Sequence, residues 1–254
     1  MKIVIGIPAR MGSSRLPGKP LKKILNKSMI EHVYRRCALS KYKTDLFVAT
    51  CDDSIKDEIE GFGGKVIMTV PDIQRPGLRV AAAVETLGLE DDDIVVVVQG
   101  DEPLVHPAMI DLAIQPLLDE KTLFVSNLAQ TLTMDEWNDP AEIKVVCDLK
   151  MNAIYMSRAP MPSIDHEEQR TVWWKQVCVM PFRWHFMKKF NHTLFPTPLE
   201  LQESIEMNRA IQHGYKVRMV PTDYISKSVD TEQDRIYVEK IMKDDEVYKD
   251  NYGK

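Results

Sequence analysis

Apolar and polar positions alternate in blocks along roughly the first half of the chain. Short apolar runs predict buried strands, and the clearest run is the isoleucine and four valines of residues 94–98. The segments between these runs repeat their apolar residues at helical spacing. The predicted strands are residues 2–8, 44–52, 65–70 and 92–104, and the predicted helices are residues 28–40, 54–64, 79–89 and 107–120. Strands that alternate with helices predict βαβ units in a mostly parallel, three-layer α/β fold.

The pattern changes from about residue 122. Strand-like runs follow at residues 123–132 and 142–148, and two more strands are predicted on either side of a proline-containing loop. We expect a single domain over residues 1–254. Within it, we expect residues 122–190 to form an inserted or edge-sheet segment that serves self-association.

The last quarter of the chain returns to longer helical patterns. Residues 198–214 predict one strong helix with Gly214 as its stop signal. A strand is predicted over residues 215–223, and a loop and C-terminal helix over residues 228–245.

In parallel α/β sheets, ligands bind beyond the carboxyl ends of the strands. This rule selects three stretches of the chain, which are residues 8–15, 49–53 and 99–103. Candidate chemistry is therefore sought there first.

Composition and charge narrow the class of ligand. The net charge of −5 gives no global attraction to nucleic acid or to an anionic membrane, so neither partner is expected. No run approaches the roughly 18 apolar residues of a membrane span, and no export signal is visible. The cysteines are scattered, which favours reduced thiols in a cytoplasmic protein. They are Cys37, Cys51, Cys147 and Cys178.

The loop after the first strand, PARMGSSRLPGK, concentrates positive charge among small residues. Arg10, Arg15 and Lys19 could neutralise phosphate oxygens, while glycine and serine let backbone N–H groups approach an anion. The spacing fits neither the P-loop nor the dinucleotide-binding pattern. The alternative is a basic surface loop without a ligand.

Two acidic stretches allow two interpretations each. Asp101 and Glu102 follow the most apolar strand, where a carboxylate can hold Mg²⁺ against a phosphate or can cap the next helix. Asp230 or Thr231 can likewise cap the last helix, and Asp234 suits its first turn.

The opening segment IPARMGSSRLPGKPL resembles the signature loop of sugar nucleotidyltransferases, and its RLPGKPL ending is closest to the 3-deoxy-manno-octulosonate (Kdo) cytidylyltransferases. QGDEPL is similar to the central motif of that family, and SVDTEQD resembles its C-terminal VDTPED element, with Glu232 where proline is usual. The resemblance extends from residue 3 to about residue 240. It implies a Rossmann-like nucleotidyltransferase fold and a homodimer.

The resemblance also implies an activity and its residues. Enzymes of this family transfer CMP from CTP to an acidic sugar and release pyrophosphate. The nucleotide-binding residues would be Pro8, Ala9, Arg10, Ser13, Ser14, Arg15, Lys19, Arg79 and Gln99. Asp101 and Asp230 would bind Mg²⁺ and, together with Lys19 and Arg10, would be the catalytic residues.

The sugar-binding half departs from the family pattern. The family stretch D-H-x-S-G-T-[DE]-R reads DIQRPGLR here, with Arg75 at the serine position. The implied sugar-binding residues are Arg75, Arg158, Gln176, Met180, Glu206 and Met207, of which Arg75, Gln176, Met180 and Met207 differ from the family pattern. Because sites built for particular hydroxyls penalise analogues strongly, we expect a Kdo-related acid with a different decoration, such as an amino group. The alternative is a loop that has drifted without functional meaning.

Two other functions remain open on the sequence alone. The chain could transfer another nucleotide, or act on a non-sugar acid. It could also be a nucleotide-binding regulatory protein without turnover, although the presence of both Asp101 and Asp230 argues against that.

Overall fold

The computed structural model describes residues 1–163 and 172–253. In chain order, the strands are β1 (Ile3–Pro8), β2 (Lys23–Ile24), β3 (Lys27–Ser28), β4 (Asp45–Thr50), β5 (Val66–Met68), β6 (Ile94–Val98), β7 (Ser126–Thr131), β8 (Lys144–Cys147), β9 (Ala153–Ser157), β10 (Trp174–Val177), β11 (Val179–Arg183) and β12 (Arg218–Thr222). The α-helices are α1 (Met29–Ala38), α2 (Asp53–Gly61), α3 (Pro76–Val84), α4 (Pro107–Asp119), α5 (Met134–Asn138), α6 (Trp184–His192), α7 (Pro198–Glu203), α8 (Met207–Gln212), α9 (Glu232–Met242) and α10 (Glu246–Asn251). Short 3-10 turns lie at Lys19–Leu21 and Glu85–Leu87.

The chain divides into two units. The first contains Met1–Asp111 and Ile225–Lys254, and the second contains Leu112–Tyr224. The second unit includes the predicted segment 122–190 and extends beyond it on both sides, since strand β12 pairs with β7. Self-association of that segment stays a prediction, and most of the predicted loop at residues 161–170 lies outside the described residues.

The first unit contains a parallel sheet in which the strand order is β6, β1, β4, β5. Every residue of β1 and β6 is buried, as their apolar runs predict. This arrangement confirms the predicted α/β fold. Because the strands are parallel, Pro8, Thr50 and Val98 all end at the same edge of the sheet, and the loops that follow them share that edge.

Helix α3 packs closely on β1 at Gly6. A Cβ atom there would lie 2.5 Å from Val80 Cγ1 and 3.0 Å from Phe47 Cζ. Val80 has a short branched side chain and the ring of Phe47 is fully buried, so any side chain at position 6 would push the helix or the adjacent strand away.

We therefore expect Gly6→Ala to lower the free energy of unfolding by about 1–3 kcal/mol, the usual cost of overpacking a core. Gly61→Ala is the matched control, since a Cβ atom at Gly61 would meet nothing within 4 Å. Urea unfolding of both variants measures the difference. Equal stability of the two variants would show that the contact between α3 and β1 is not tight.

The second unit contains a mixed sheet in the order β12, β7, β10, β8, β9. Strand β12 is parallel to β7, and the other neighbours are antiparallel. Trp173 and Trp174 are both half-buried, and the ring of Trp173 lies 6.2 Å from that of Trp137.

The prediction of a single helix over residues 198–214 is wrong. The structure has two helices, α7 and α8, separated at Ser204, whose φ is 55°. The carboxylate of Glu203 accepts hydrogen bonds from Ser157 Oγ and Arg158 N, while the Asn208 side chain bonds to the backbone of Met156. Positions five apart on a continuous helix face directions about 140° apart, so both side chains reach β9 only if the helix is broken.

The predicted end of this region is confirmed, because Gly214 lies just after α8 with a φ of 80°. Among the residues that the structure describes, no helix is both long and apolar enough to cross a membrane.

Candidate active site

A cavity of about 270 Å³ lies within the first unit, at the carboxyl edge of its sheet. Ten of the predicted site residues line it, namely Pro8, Ala9, Arg10, Ser13, Ser14, Arg15, Lys19, Gln99, Asp101 and Asp230. The structure adds Gly12, Pro20, Pro76 and Gly100 to these. The two sequence stretches at residues 8–19 and 99–101 are thus brought together with Asp230, which is more than a hundred residues away along the chain.

The cationic loop is held at both ends. At its start, Ala9 N donates to Ala49 O at 3.0 Å and Met11 N donates to Asp52 Oδ2 at 2.9 Å. Further along, Leu16 is buried in an apolar cluster with residues of the C-terminal helices. The loop therefore has defined anchors, and Asp52 is one that sequence reasoning had placed only within a candidate stretch.

The loop that carries Asp230 is tied to the loop that carries Asp101. Glu102 is 2% exposed, and its two carboxylate oxygens accept from the hydroxyls of Ser226 and Ser228 at 2.7 Å each. Val229 N also donates to Asp101 O at 2.9 Å. These bonds explain how the two aspartates meet. Sequence reasoning gave Glu102 no positioning role, although its place in the QGDEPL motif was a signal for one.

The structure resolves the capping alternatives for Asp230. Thr231 is the N-cap of α9, and it forms a reciprocal capping box with Asp234. The carboxylate of Asp230 is therefore not used as the cap and faces the cavity.

The capping alternative for Asp101 is resolved in the same way. At the start of α4, Ala108 N donates to His106 Nδ1 at 3.1 Å. The carboxylate of Asp101 contacts Lys19 instead.

Lys19 lies between the two aspartates. Its Nζ is 2.6 Å from Asp101 Oδ2 and 3.0 Å from Asp230 Oδ1. Burial acts to lower the pKa of Lys19, but the charges of Asp101 and Asp230 outweigh it, so the net pKa is raised above its ordinary value. Lys19 is thus a cation at neutral pH.

The two arginines of the loop are more exposed than Lys19. Arg15 Nη2 lies 3.0 Å from Asp230 Oδ1, and the Arg15 side chain is 59% exposed. Arg10 donates to the side chain of Gln74, which belongs to the divergent DIQRPGLR stretch. Both guanidinium groups are thus placed on the cavity side of the loop, where an anion could displace their present contacts.

The position of Arg79 does not agree with the prediction that it binds nucleotide. It does not line the cavity and is 2% exposed. Its guanidinium donates to Thr69 Oγ1 and to Ile73 O, so it stabilises the loop before α3. Arg75, which was predicted to contact sugar, directly precedes Pro76 at the start of α3. Pro76 lines the cavity, and Arg75 does not.

The other predicted sugar-binding residues belong to the second unit. Gln176 Nε2 donates to Asn127 Oδ1 at 2.5 Å and lies 3.7 Å from Met180 Sδ. Met180 and Met207 are buried, at 3% and 1% exposure. Their direct contact with a sugar is not what this structure shows, because neither side chain reaches the surface.

Arg158 and Glu206 complete the predicted sugar set. Arg158 Nε donates to Glu203 O at 3.0 Å, and its Nη1 donates to Pro140 O at 3.0 Å. Glu206 is the N-cap residue of α8, directly before Met207. Much of the Arg158 guanidinium is therefore occupied by backbone carbonyls.

The paired aspartates have the donor set that Mg²⁺ prefers. Asp101 Oδ2 and Asp230 Oδ1 both approach one nitrogen atom, so two hard oxygens face a single cation position. Among the described residues, no group of three or more His, Cys, Asp or Glu side chains forms a metal cluster. Two carboxylates completed by water and phosphate oxygens are typical of Mg²⁺ sites.

A parallel α/β sheet with a cationic loop and two facing carboxylates at its carboxyl edge is typical of nucleotidyltransferases. The chain belongs to the cytidylyltransferase family, because the model of that family matches residues 3–240. This confirms the family predicted from the opening loop and the two aspartate motifs, and it makes the chain a nucleotidyltransferase of the Kdo cytidylyltransferase type.

Named relatives match most of the chain. An 8-amino-3,8-dideoxy-manno-octulosonate cytidylyltransferase of Shewanella sediminis is 42% identical over 236 residues, covering 92% of this chain and 96% of the relative. A 3-deoxy-manno-octulosonate cytidylyltransferase of Solibacter usitatus is 39% identical over 243 residues, covering 95% of each.

Solved structures match the fold. A CMP:2-keto-3-deoxy-manno-octonic acid synthetase complexed with CTP aligns with a TM-score of 0.88 at 32% identity, covering 96% of this chain and 99% of that one. A cytidylyltransferase from Leptospira borgpetersenii aligns with a TM-score of 0.65 at 18% identity, covering 96% of this chain and 88% of that one, which supports the fold alone. The predicted Rossmann-like nucleotidyltransferase fold is confirmed.

Proposed function

We propose that the protein transfers CMP from CTP to the anomeric hydroxyl of a 3-deoxy-octulosonate-type sugar acid and releases pyrophosphate. The observation that carries this proposal is the cavity in which the cationic loop faces Asp101 and Asp230. The cytidylyltransferase relatives supply the nucleotide and the class of acceptor.

The loop provides the charge that a triphosphate requires. Arg10, Arg15 and Lys19 neutralise phosphate oxygens, and a guanidinium fork suits two oxygens of one phosphate. Pro8 and Ala9 offer a small, largely apolar surface for the base, and Gln99 offers an amide that can both donate and accept.

Asp101 and Asp230 are proposed as the residues that hold Mg²⁺. When bound, this ion neutralises charge on the phosphoryl oxygens and makes a coordinated hydroxyl more acidic. The contacts of Glu102 with its loop partners orient the two carboxylates. Because Thr231 caps α9, Asp230 does not have to break a capping hydrogen bond before it binds a cation.

The reaction needs no covalent enzyme intermediate. The anomeric oxygen forms a bond to the α-phosphorus of CTP, the bond from that phosphorus to the pyrophosphate oxygen breaks, and the hydroxyl proton is released. The cations of the loop stabilise the charge that develops on the leaving pyrophosphate.

The acceptor is proposed to be an amino-substituted sugar acid. The chain departs from the Kdo-activating pattern at Gln176 and in the DIQRPGLR stretch, whose Gln74 pairs with Arg10 at the cavity. It also departs at Met180 and Met207, which are buried and would act only by positioning their neighbours. Relatives named for the 8-amino acid and for plain Kdo both match at similar identity, so the family alone does not separate the two acceptors.

Pyrophosphate release tests both parts of the proposal. CTP, UTP, ATP and GTP are each combined with Mg²⁺ and with 8-amino-3,8-dideoxy-manno-octulosonate, Kdo or N-acetylneuraminate. We expect CTP to be required and the 8-amino acid to be preferred over Kdo by about tenfold or more in kcat/KM, the scale of discrimination that one functional group supplies. A preference for Kdo would overturn the amino assignment only, whereas absence of turnover with every acid would overturn CMP transfer.

The cellular setting follows as a further part of the proposal. A CMP-activated sugar acid is a donor for glycosyl transfer to a cell-surface polysaccharide or lipopolysaccharide. All four cysteines are free thiols, which agrees with a reducing cytoplasm. A homodimer is proposed from the family resemblance, and light scattering on the purified protein would measure it.

A further inference from the structure

The Lys19 ammonium occupies the position at which the carboxylates of Asp101 and Asp230 converge. The Lys19 side chain is only 14% exposed, and its Nζ contacts one oxygen of each aspartate. It is thus a counter-ion shared by both carboxylates, whereas Arg15 Nη2 contacts Asp230 Oδ1 alone, at 3.0 Å.

An ammonium in this position and a metal ion exclude each other. A Mg²⁺ ion bound to both aspartates would lie about 2.0–2.1 Å from each oxygen. The same two oxygens are now 2.6 and 3.0 Å from Nζ, so the space between them is filled. Lys19 must leave before both aspartates can bind a metal.

A triphosphate provides the reason for Lys19 to leave. The flexible four-carbon side chain of Lys19 carries a compact charge, which can move from a carboxylate to a phosphate oxygen. The lysine lines the same cavity as the proposed phosphate-binding residues Arg10 and Arg15. An incoming nucleotide therefore competes with the two aspartates for the ammonium.

We propose that Lys19 occupies the metal site until a nucleoside triphosphate binds, so that metal and nucleotide bind with strong positive coupling. The inference rests on the proposed function, because it takes Mg²⁺ and CTP as the ligands. It goes further by giving Lys19 a second role, which is to keep the empty site from taking up a free divalent cation. By linkage, the metal must strengthen nucleotide binding by the same factor.

Mn²⁺ binding measured by electron paramagnetic resonance tests the proposal without turnover. The wild type, Lys19→Met and Arg10→Met are titrated in the absence of nucleotide and again with α,β-methylene-CTP. Arg10→Met is the matched control, since it removes one positive charge from the same cavity but Arg10 pairs with Gln74 rather than with the aspartates.

Without nucleotide, we expect weak Mn²⁺ binding to the wild type and to Arg10→Met, and binding at least about tenfold tighter to Lys19→Met. The Lys19 change removes the cation that contacts both carboxylates and leaves only the exposed Arg15 beside Asp230. The CTP analogue should tighten Mn²⁺ binding to the wild type much more than to Lys19→Met. Equal affinity of the wild type and Lys19→Met, or an equal gain in Arg10→Met, would overturn the inference. Lys19→Gln and thermal unfolding of each variant exclude a folding defect as the cause.

The two proposals fail in distinguishable ways. If the protein bound no CTP and formed no product, the proposed function would be wrong, and the nucleotide-free comparison of Lys19→Met with Arg10→Met would still decide whether Lys19 closes the metal site. If turnover were normal but Mn²⁺ bound tightly to the nucleotide-free wild type, the inference alone would be wrong.

Discussion

Replacing Asp101 by asparagine should abolish most turnover while leaving CTP binding in the absence of divalent cations largely intact. The change keeps the size of the side chain but removes one of the two carboxylate charges that face the cation position. Even residues that only support a metal ligand change affinity or activity by about 10- to 100-fold, so loss of a ligand should reduce kcat/KM by at least about 100-fold. Steady-state pyrophosphate release and calorimetric titration with CTP measure the two effects.

The control for this variant is Asp57→Asn, which makes the same chemical change at an exposed position on α2. It should retain wild-type turnover. Undiminished turnover by Asp101→Asn at any Mg²⁺ concentration would contradict the assignment of Asp101, and complete loss of CTP binding would show that Asp101 acts on the nucleotide directly.

Replacing Glu102 by glutamine should have the second-largest effect, although Glu102 does not line the cavity. Its buried carboxylate accepts the hydroxyls of Ser226 and Ser228 and so fixes the loop that carries Asp230. An amide keeps the shape but turns one acceptor into a donor. We expect kcat to fall by about 10- to 100-fold and the Mg²⁺ concentration for half-maximal rate to rise, because Asp230 is no longer held beside Asp101.

A double-mutant cycle separates this positioning role from a general loss of stability. Ser226→Ala and Ser228→Ala should each reproduce part of the change in Mg²⁺ dependence, and neither should add its full effect to Glu102→Gln. Fully additive effects, or a fall in kcat with an unchanged Mg²⁺ dependence, would contradict the link between Glu102 and Asp230.

The parallel core of the first unit was predictable because its signals are local. Residues 94–98 form a strand with all five side chains buried. A short run of β-branched apolar residues is typical of a central strand that is covered on both faces. Helix α6 was not predicted, since the apolar residues of β11 lead directly into Trp184 and Phe186 without a side-chain cap to mark the boundary. The break between α7 and α8 depends on contacts of Glu203 and Asn208 with β9, which no local pattern contains.

The candidate site was also predictable only in part. The family resemblance predicted that Asp101 and Asp230 would lie together opposite the loop that carries Lys19. The two aspartates do lie together, and the direct contact of Lys19 with both was not predicted. The QGDEPL motif pointed to Glu102, but its partners were not predictable, because Ser226 and Ser228 lie 124 and 126 residues away along the chain. Arg79 was assigned to the nucleotide from its match to the family pattern, and that pattern does not show its hydrogen bond to the backbone carbonyl of Ile73.

The transfer of CMP can be followed by isotope labelling of the acceptor. The sugar acid is enriched with oxygen-18 at its anomeric oxygen and incubated with CTP, Mg²⁺ and the protein, and the masses of the products are measured. Attack of the anomeric hydroxyl on the α-phosphorus predicts that the label appears in a CMP-sugar and that the pyrophosphate is unlabelled. Label in the pyrophosphate, or release of CMP without a CMP-sugar, would contradict the proposed reaction.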